Sequence, residues 1–463
     1  MTKQTEKSRK SYDLRSSVDP DQQEKIDFYQ IAELQKELDH LRRLVALIPE
    51  PVFWCSKHLR QFWWTVSTLI GLGWLHNGSR LVRQNTAATS TISLATTPPD
   101  EMPSPRLFLD VTVTHRSLLN TGVQRVIREL CRHGEIGGEL APVIIDQGVF
   151  VSAADKTAIQ YRDGDRILLL DSGWTHTKIY LPALKHAKLR GFDIIFGIYD
   201  LIPIRHPGFV NPYFTELFDD WLKSVTPFCT AVLAISQSSA DDYFFWAKKN
   251  GLLTNIKAIG WFYLGANLPE EIEEKQNSSN ATNNFPSSFL LSVGTLEPRK
   301  GYTCALDAFD QLWNEGSSLS YVIIGRRGDL SLHIVDRIMN HPLYGKKLFW
   351  PQNVDDQLLA DYYKHSKGVL IPALAEGFGL PLIEACVYGK PVIASDLPVF
   401  QEIAPPGVIF FEFANSLELA RTIKQTSFET TEIPLHVRTD LDWKTATHKM
   451  LKIIKSNDYQ MKI

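Results

Sequence analysis

The sequence predicts an α/β protein with two doubly wound, Rossmann-like domains facing each other across a cleft, preceded by a helical extension. Three observations predict it. Short apolar runs rich in β-branched residues recur with helical patterns between them: RLFLDVTV (Arg106–Val113), ILLLD (Ile167–Asp171), DIIFGIYD (Asp193–Asp200) and AVLAIS (Ala231–Ser236). After a polar linker, PEEIEEKQNSSNATNNFPS (Pro269–Ser287), a second series begins: SFLLSVG (Ser288–Gly294), YVIIG (Tyr321–Gly325), GVLIP (Gly368–Pro372) and KPVIAS (Lys390–Ser395). Finally, 463 residues are too many for one core and suit two or three domains. Strands alternating with helices read as parallel sheets, whose ligands bind in the crevice at the carboxyl ends of the strands.

Composition narrows the class. A hydrophobic content of 44% with 22% charged residues is that of a folded soluble protein. A net charge of −3 offers no basic excess for nucleic acid. The five cysteines, Cys55, Cys131, Cys229, Cys304 and Cys386, lie far apart and never as C-x-x-C, which suits a reducing cytosol better than disulfides or a zinc site. The opening MTKQTEKSRKSYDLRSS lacks the apolar core of a signal peptide. The expected location is cytoplasmic, with peripheral contact to the inner face of the cell membrane.

In chain order, residues 1–22 read as a polar, disordered tail and 23–84 as a helical extension. Within it, Ile31, Leu34, Leu38, Leu41, Val45 and Ile48 keep the spacing of a coiled-coil seam over barely three heptads. That stretch, 31–48, either self-associates or docks on its own chain. Gln61–Leu75 carries no charge and includes Trp63, Trp64 and Trp74, yet falls short of the ~20 residues that span a bilayer. With Lys57, Arg60, Arg80 and Arg83 around it, segment 58–83 suits the surface of an anionic leaflet, the other readings being a buried hairpin and a true span. Residues 85–105 form a Ser/Thr/Pro-rich linker. The N-terminal domain is expected over 106–272, a linker over 273–287, the C-terminal domain over 288–435 and a C-terminal helix over 436–463.

Two post-strand loops carry the chemistry. In SVGTLEPRKGY, Ser292–Tyr302, Arg299 and Lys300 stand just before a helix, where two cations and helix amides suit a diphosphate. A solvated basic turn is the alternative. Neither a G-x-x-x-x-G-K-[ST] nor a post-strand G-x-G-x-x-G occurs, which argues against P-loop and nicotinamide or flavin enzymes. In ALAEGFGLPLIEACVYGKPV, Ala373–Val392, Gly377 and Gly379 allow close backbone approach and Pro381 opens a helix. Glu376 lies before that helix and Glu384 about one turn inside it. Both can face one ligand, one at a sugar's hydroxyls and the other at a ribose diol.

EGFGLPLIE resembles the E-x7-E element of the retaining family-4 glycosyltransferases, which have the GT-B architecture. GTLEPRKG, GKPVIASDLPVFQEI and NTGVQRVIREL (Asn120–Leu130) belong to the same pattern, so the likeness runs from about Leu107 to Asn415. The TGVQRV and EPRKG forms are similar to bacterial mannosyl- or rhamnosyltransferases of surface polysaccharide synthesis. The resemblance implies a hexosyltransferase moving mannose or a similar hexose from a GDP- or UDP-linked donor to a glycan or polyprenyl-linked acceptor. Arg299 and Lys300 would neutralise the donor diphosphate, Glu384 would hold the ribose and Glu376 the sugar. Amides of Phe378, Gly379 and Leu380 would touch sugar or phosphate, and Gly122 would let its loop approach the donor. Gly265 and Asn267 would sit at the mouth of the cleft. No metal or other cofactor is implied, since the cations replace it; Asp163–Asp165 reads as a turn and Asp440–Asp442 lies near the C-terminus.

Two positions depart from the family. In IYDLIPIRHP, Tyr199 stands where many relatives have histidine, although Asp200 keeps an acid that could contact acceptor or sugar; His206 reads as an ordinary loop residue. Thr295 stands where several relatives carry arginine. The rival functions are a glycoside hydrolase, a nucleotide-sugar epimerase and a non-catalytic scaffold. The donor base depends on side chains around Val354, Asp355, Asp356 and Arg326 that no motif decodes.

Overall fold

A computed structural model describes residues 105–117, 121–135, 138–267, 285–428 and 441–463. The polar tail, the 31–48 seam, the 58–83 aromatic segment, nearly all of the 85–105 linker and most of the 273–287 linker lie outside the described residues.

The N-terminal domain runs β1 (Leu107–Asp110), α1 (Thr112–Arg116), α2 (Gly122–Glu135), β2 (Ala141–Asp146), β3 (Val149–Ser152), β4 (Arg166–Leu169), α3 (Thr177–Leu189), β5 (Asp193–Ile198), α4 (Ile202–Arg205), α5 (Pro212–Val225), β6 (Ala231–Ala234), α6 (Gln237–Lys249) and β7 (Ala258–Trp261). β1 and β6 are buried at every position, which is why they read as continuous apolar runs: helices cover both faces of a parallel sheet. Two helices of this domain, α5 and α6, begin at side-chain caps. Asn211 accepts the Tyr213 N–H at 3.0 Å with Pro212 in the first turn of α5, and Ser236 accepts the Ser239 N–H at 3.1 Å at the start of α6.

The C-terminal domain runs β8 (Phe289–Val293), α7 (Tyr302–Asn314), β9 (Ser320–Ile324), α8 (Leu332–Met339), β10 (Leu348–Phe349), α9 (Asp356–His365), β11 (Gly368–Ile371), α10 (Leu380–Val387), β12 (Val392–Ser395), α11 (Pro398–Ile403), β13 (Ile409–Phe411) and α12 (Ser416–Gln425). Its six strands are all parallel in the order β10-β9-β8-β11-β12-β13. The chain then returns to the first domain. α13 (Trp443–Ser456) lies against α2, and β14 (Met461–Lys462) pairs antiparallel with β7, Met461 opposite Ile259. The first sheet thereby has the order β14-β7-β6-β5-β4-β1-β2-β3, with β3 and β14 antiparallel at its edges.

Both sheets wind outward in both directions from one central strand. Consecutive connections leave to opposite sides at β1/β4 in the first sheet and β8/β11 in the second, and these two crevices are where ligands of such sheets lie. One apolar cluster includes Leu109 and Leu130 of the first domain and Leu291 and Ile371 of the second, so the packing is continuous between them. None of the described helices is long and apolar enough to cross a membrane.

Candidate active site

Strands β8 and β11 lie side by side, which brings their following loops together. The loops are zipped: the N–H of Leu374 donates to the carbonyl of Arg299 at 2.7 Å. Gly301 has a left-handed φ of 70°, and a Cβ there would lie 1.7 Å from the Pro372 carbonyl oxygen, so no other residue fits. This contact fixes the turn Pro298–Lys300 against the 372–379 loop.

Both cations of that turn reach Glu376. Arg299 Nη1 lies 3.1 Å from Glu376 Oε2, Lys300 Nζ bonds Glu376 Oε1, and Arg299 Nε donates to Glu297 at 2.8 Å. Burial alone would raise the Glu376 carboxyl, but Lys300 and Arg299 outweigh it and hold the group below its ordinary value. Burial depresses Lys300, against the pull of Glu376. For Arg299 burial opposes the charge, while Glu376, Glu297 and Asp200 together hold the guanidinium ionised. Asp200 is raised by burial, with Arg299 opposing; one of its oxygens accepts the Ile202 N–H at 2.9 Å. The structure therefore brings Glu376, Arg299, Lys300 and Asp200 into one cluster, and adds Glu297 to it.

Glu384 sits on the buried side of α10, 5% exposed. One oxygen is bound by Arg125 of α2, from the other domain; the second accepts the Tyr363 hydroxyl at 2.6 Å. The Tyr363 ring stacks on Tyr388 at 5.1 Å. One protein donor already holds each oxygen of this carboxylate, so a ligand diol would share or compete for it with Arg125 and Tyr363. Neither Arg125 nor Tyr363 was legible as a site residue in the sequence; a basic residue in the first turn of α2 was the available signal for Arg125.

The domains touch around Gly377. A Cβ there would lie 2.5 Å from the Tyr199 carbonyl and 2.8 Å from Asp200 Cβ. Ser236 Oγ donates to the Gly377 carbonyl at 2.8 Å, and Ser239 Oγ donates to that of Tyr199 at 2.8 Å. Glu402 of the second domain accepts the Ser238 N–H at 2.9 Å and its hydroxyl at 2.8 Å, a carboxylate at the N-terminus of α6.

The remaining expected residues divide. Gly379, with φ 109°, stands before α10, and a Cβ there would lie 2.5 Å from the Phe400 ring. Leu380 opens α10, while the Phe378 side chain is core, 6.3 Å from the Tyr263 ring. Gly122 opens α2 with nothing within 4 Å of its would-be Cβ, leaving room beside it. Thr295 lies in the loop after β8 and adds no charge there. Gly265 packs on the start of α13, a would-be Cβ lying 2.5 Å from the backbone of Asp442 and Trp443; that contact explains the glycine without a ligand. Asn267 is the last described residue of its segment, and its Oδ1 is buried with no partner among the described residues. Asp355 caps α9 through the Leu358 N–H at 2.8 Å. The two D-x-D stretches are used structurally: Asp165 holds Arg106 and Asp442 caps α13.

At the other switch point the groups are acidic. Asp110, fully buried at the end of β1, accepts the Thr112 N–H at 3.1 Å and the Tyr180 hydroxyl at 2.6 Å. Burial, helped by the charge of Asp171, raises its pKa to about 7. Asp171, after β4, accepts the N–H groups of Val113 and Thr114, each at 2.7 Å. Between the two switch points lies a cavity of about 330 Å³ whose wall includes Val123, Asp171, Trp174, Asp200, Phe214 and Arg299.

Residues 272–430 match the family described as Glycosyl transferases group 1. The chain is 30% identical over 380 residues to "Serotype-specific mannosyltransferase WbdA" of Escherichia coli, covering 75% of this chain and 46% of that protein, so it spans less than half of that relative. It is 25% identical over 214 residues to "O-antigen chain mannosyltransferase RfbU" of Salmonella typhimurium, 46% of this chain and 55% of that one. Among solved structures, Anabaena Alr3699/HepE in complex with UDP and glucose superposes with a TM-score of 0.52 at 14% identity, over 76% of this chain and all of that one (100%).

Proposed function

Residues 272–430 belong to the glycosyl transferases group 1 family and the described chain has the GT-B fold; from that premise we propose that this protein is a retaining hexosyltransferase of bacterial surface-polysaccharide synthesis. It takes mannose or a similar hexose from a nucleotide-sugar. The observation that carries this reading is the Arg299–Lys300–Glu376 cluster at the β8/β11 switch point of a glycosyltransferase-family domain.

In this reading the donor diphosphate lies against Arg299 and Lys300. As the anomeric C–O bond breaks, charge develops on the β-phosphate, and two preorganised cations stabilise it where water is excluded. Glu376, which pairs with both cations, turns to the sugar hydroxyls as the phosphate takes its place. Glu384 holds the ribose diol once Arg125 lets go, so donor binding and the contact between domains are coupled. The released phosphate accepts the proton of the acceptor hydroxyl on the same face, which retains the anomeric configuration. The cations replace a divalent metal. The mannose preference rests on the likeness to WbdA and RfbU, both mannosyltransferases by name.

A thermal-shift panel tests the reading, with the full chain against GDP, UDP, GDP-mannose, UDP-glucose and UDP-N-acetylglucosamine. A ligand at ~100 times its dissociation constant adds ~2.7 kcal/mol of stability. Stabilisation by one nucleotide series is the expected result and identifies the base. A well-folded sample that responds to none of them contradicts it.

A further inference from the structure

We propose that the exposed face of α13, with the groove between that helix and the end of β7, docks on an anionic membrane surface. The surface lies outside the cleft, and the inference does not depend on the glycosyl-transfer reading.

The sequence of α13, WKTATHKMLKIIKS, divides by helical period. Trp443, Ala446, Met450, Leu451 and Ile454 are buried in the core of the first domain. The other side is exposed and carries Lys444, Lys449, Lys452 and Lys455, with no Asp or Glu anywhere in the helix. Positions 444, 448, 452 and 455 keep the three-and-four spacing of one face, and 449 stands beside 452. Lys455 pairs with Glu139 at 2.5 Å, while Lys444, Lys449 and Lys452 have no partner among the described residues. A solvated face mixes signs, as α6 does with Asp241, Asp242, Lys248 and Lys249. Here the sign is single over 14 residues, roughly 20 Å, in a chain whose net charge is −3. The basic excess is local.

Beside these lysines lies a groove of about 390 Å³ whose wall includes Trp261, Tyr263, Lys449, Lys452, Ile453 and Asp458. Trp261 is half-buried and Tyr263 is 37% exposed, so ring surface is open next to the two amines. Tryptophan and tyrosine flanked by lysines suit the headgroup level of a bilayer, rings inward and amines at the phosphates. Asp458 is the one carboxylate in that wall. A row of amines this long fits many headgroups in a plane, whereas a single phosphate would engage one or two of them. Because the apolar side of α13 is spent on the core, the helix cannot sink into the bilayer. The contact is therefore electrostatic and sensitive to salt. Segment 58–83, expected at the same leaflet, would instead bind through its tryptophans. The Tyr263 ring stands 6.3 Å from that of Phe378 in the 372–379 loop, which places the edge of this surface beside the cleft. A lipid-anchored acceptor in the same leaflet would meet the cleft from that side.

The test is co-sedimentation of the full chain with vesicles of phosphatidylethanolamine and phosphatidylglycerol, and with vesicles of phosphatidylcholine. Preference for the anionic vesicles, weakening as salt rises, is expected. Lys449→Gln/Lys452→Gln should weaken that binding about thirtyfold, two lysines each worth about fivefold at the surface. Lys248→Gln/Lys249→Gln removes the same charge from α6, on the other face of the sheet, and should change binding by no more than about twofold. All four lysines are exposed, so both variants should fold, and melting curves check it. Equal binding to the two kinds of vesicle overturns the proposal. So does an α13 variant that binds as tightly as the wild type, or an equal loss in both variants. Retention on immobilised polyglutamate without binding to vesicles overturns it in favour of an acidic protein partner.

Discussion

The two switch points of this chain are built on the same strand order, yet their loops hold charge in different ways. After β8 and β11, Arg299 and Lys300 are neutralised by side chains, Glu376 and Glu297. After β1 and β4, Asp110 and Asp171 are held by backbone N–H groups and buried hydroxyls that belong to the fold itself. Backbone amides cannot leave without unfolding α1, whereas side-chain pairs exchange partners. Topology sets where a crevice opens, and the kind of counter-charge sets whether it binds or braces.

Substitutions that separate these roles test the contrast. The largest effect is expected at the exchangeable site. Arg299→Ala or Lys300→Ala lowers kcat by about 10²–10³ with the protein still folded, as loss of one preorganised donor does. Steady-state rates with the identified donor, beside a melting curve, check it; a loss of folding equal to the loss of rate would place these residues in the bracing class.

The bracing site answers in stability. The Asp110 pKa is about 7 in the folded chain against 3.8 for the ordinary group. Between those values the folded state binds more protons than the unfolded one, so stability is highest below pH 4, falls as pH rises toward 7 and is level above. The fall is on the order of 4 kcal/mol for Asp110 alone. Denaturant titrations from pH 4 to 8 should show this slope reduced in Asp110→Asn; equal slopes would refute the assignment.

A smaller effect is expected at the contact between domains. Arg125→Met leaves Glu384 with Tyr363 alone, lowering stability by about 2 kcal/mol, less than a fully buried pair because Arg125 is partly exposed. Nucleotide affinity should nonetheless rise, by about tenfold, because the ribose no longer competes with a guanidinium. A merely structural role for Arg125 predicts no gain, and calorimetric titration distinguishes the two. The smallest effect concerns the thiols. Burial pushes Cys131 and Cys386 up to about 12 and Cys304 to about 11, so all three should react with a thiol reagent at pH 8 only as fast as the protein opens.

The contrast also explains what the sequence could reveal. The buried central strands were legible because burial on both faces leaves an unbroken apolar run; VFVS of β3, AIGW of β7 and the two residues of β10 were not, being short edge or near-edge strands. The meeting of Glu376 with Arg299 and Lys300 was legible because adjacent strand ends must bring their loops together. Arg125 reaching Glu384, 259 positions away, has no local signature; only the closure of the domains creates it. A glycine's sequence position does not say which backbone lies against it; at Gly265, expected at the mouth of the cleft, that backbone is the start of α13. Within the range 436–463, the described residues hold α13 at Trp443–Ser456 and the short strand β14, and the place of α13 on the first domain follows from packing that no periodicity encodes.

The most direct test of the central claim, that the Arg299–Lys300 turn is a diphosphate site, is calorimetric titration of a nucleoside and its diphosphate into the wild-type chain and the Arg299→Ala/Lys300→Ala variant. The account predicts that the wild type binds the diphosphate at least a hundredfold tighter than the nucleoside, roughly 1.4 kcal/mol or more from each cation. In the variant that advantage should vanish while nucleoside binding persists. A diphosphate preference that survives loss of both cations would contradict the claim.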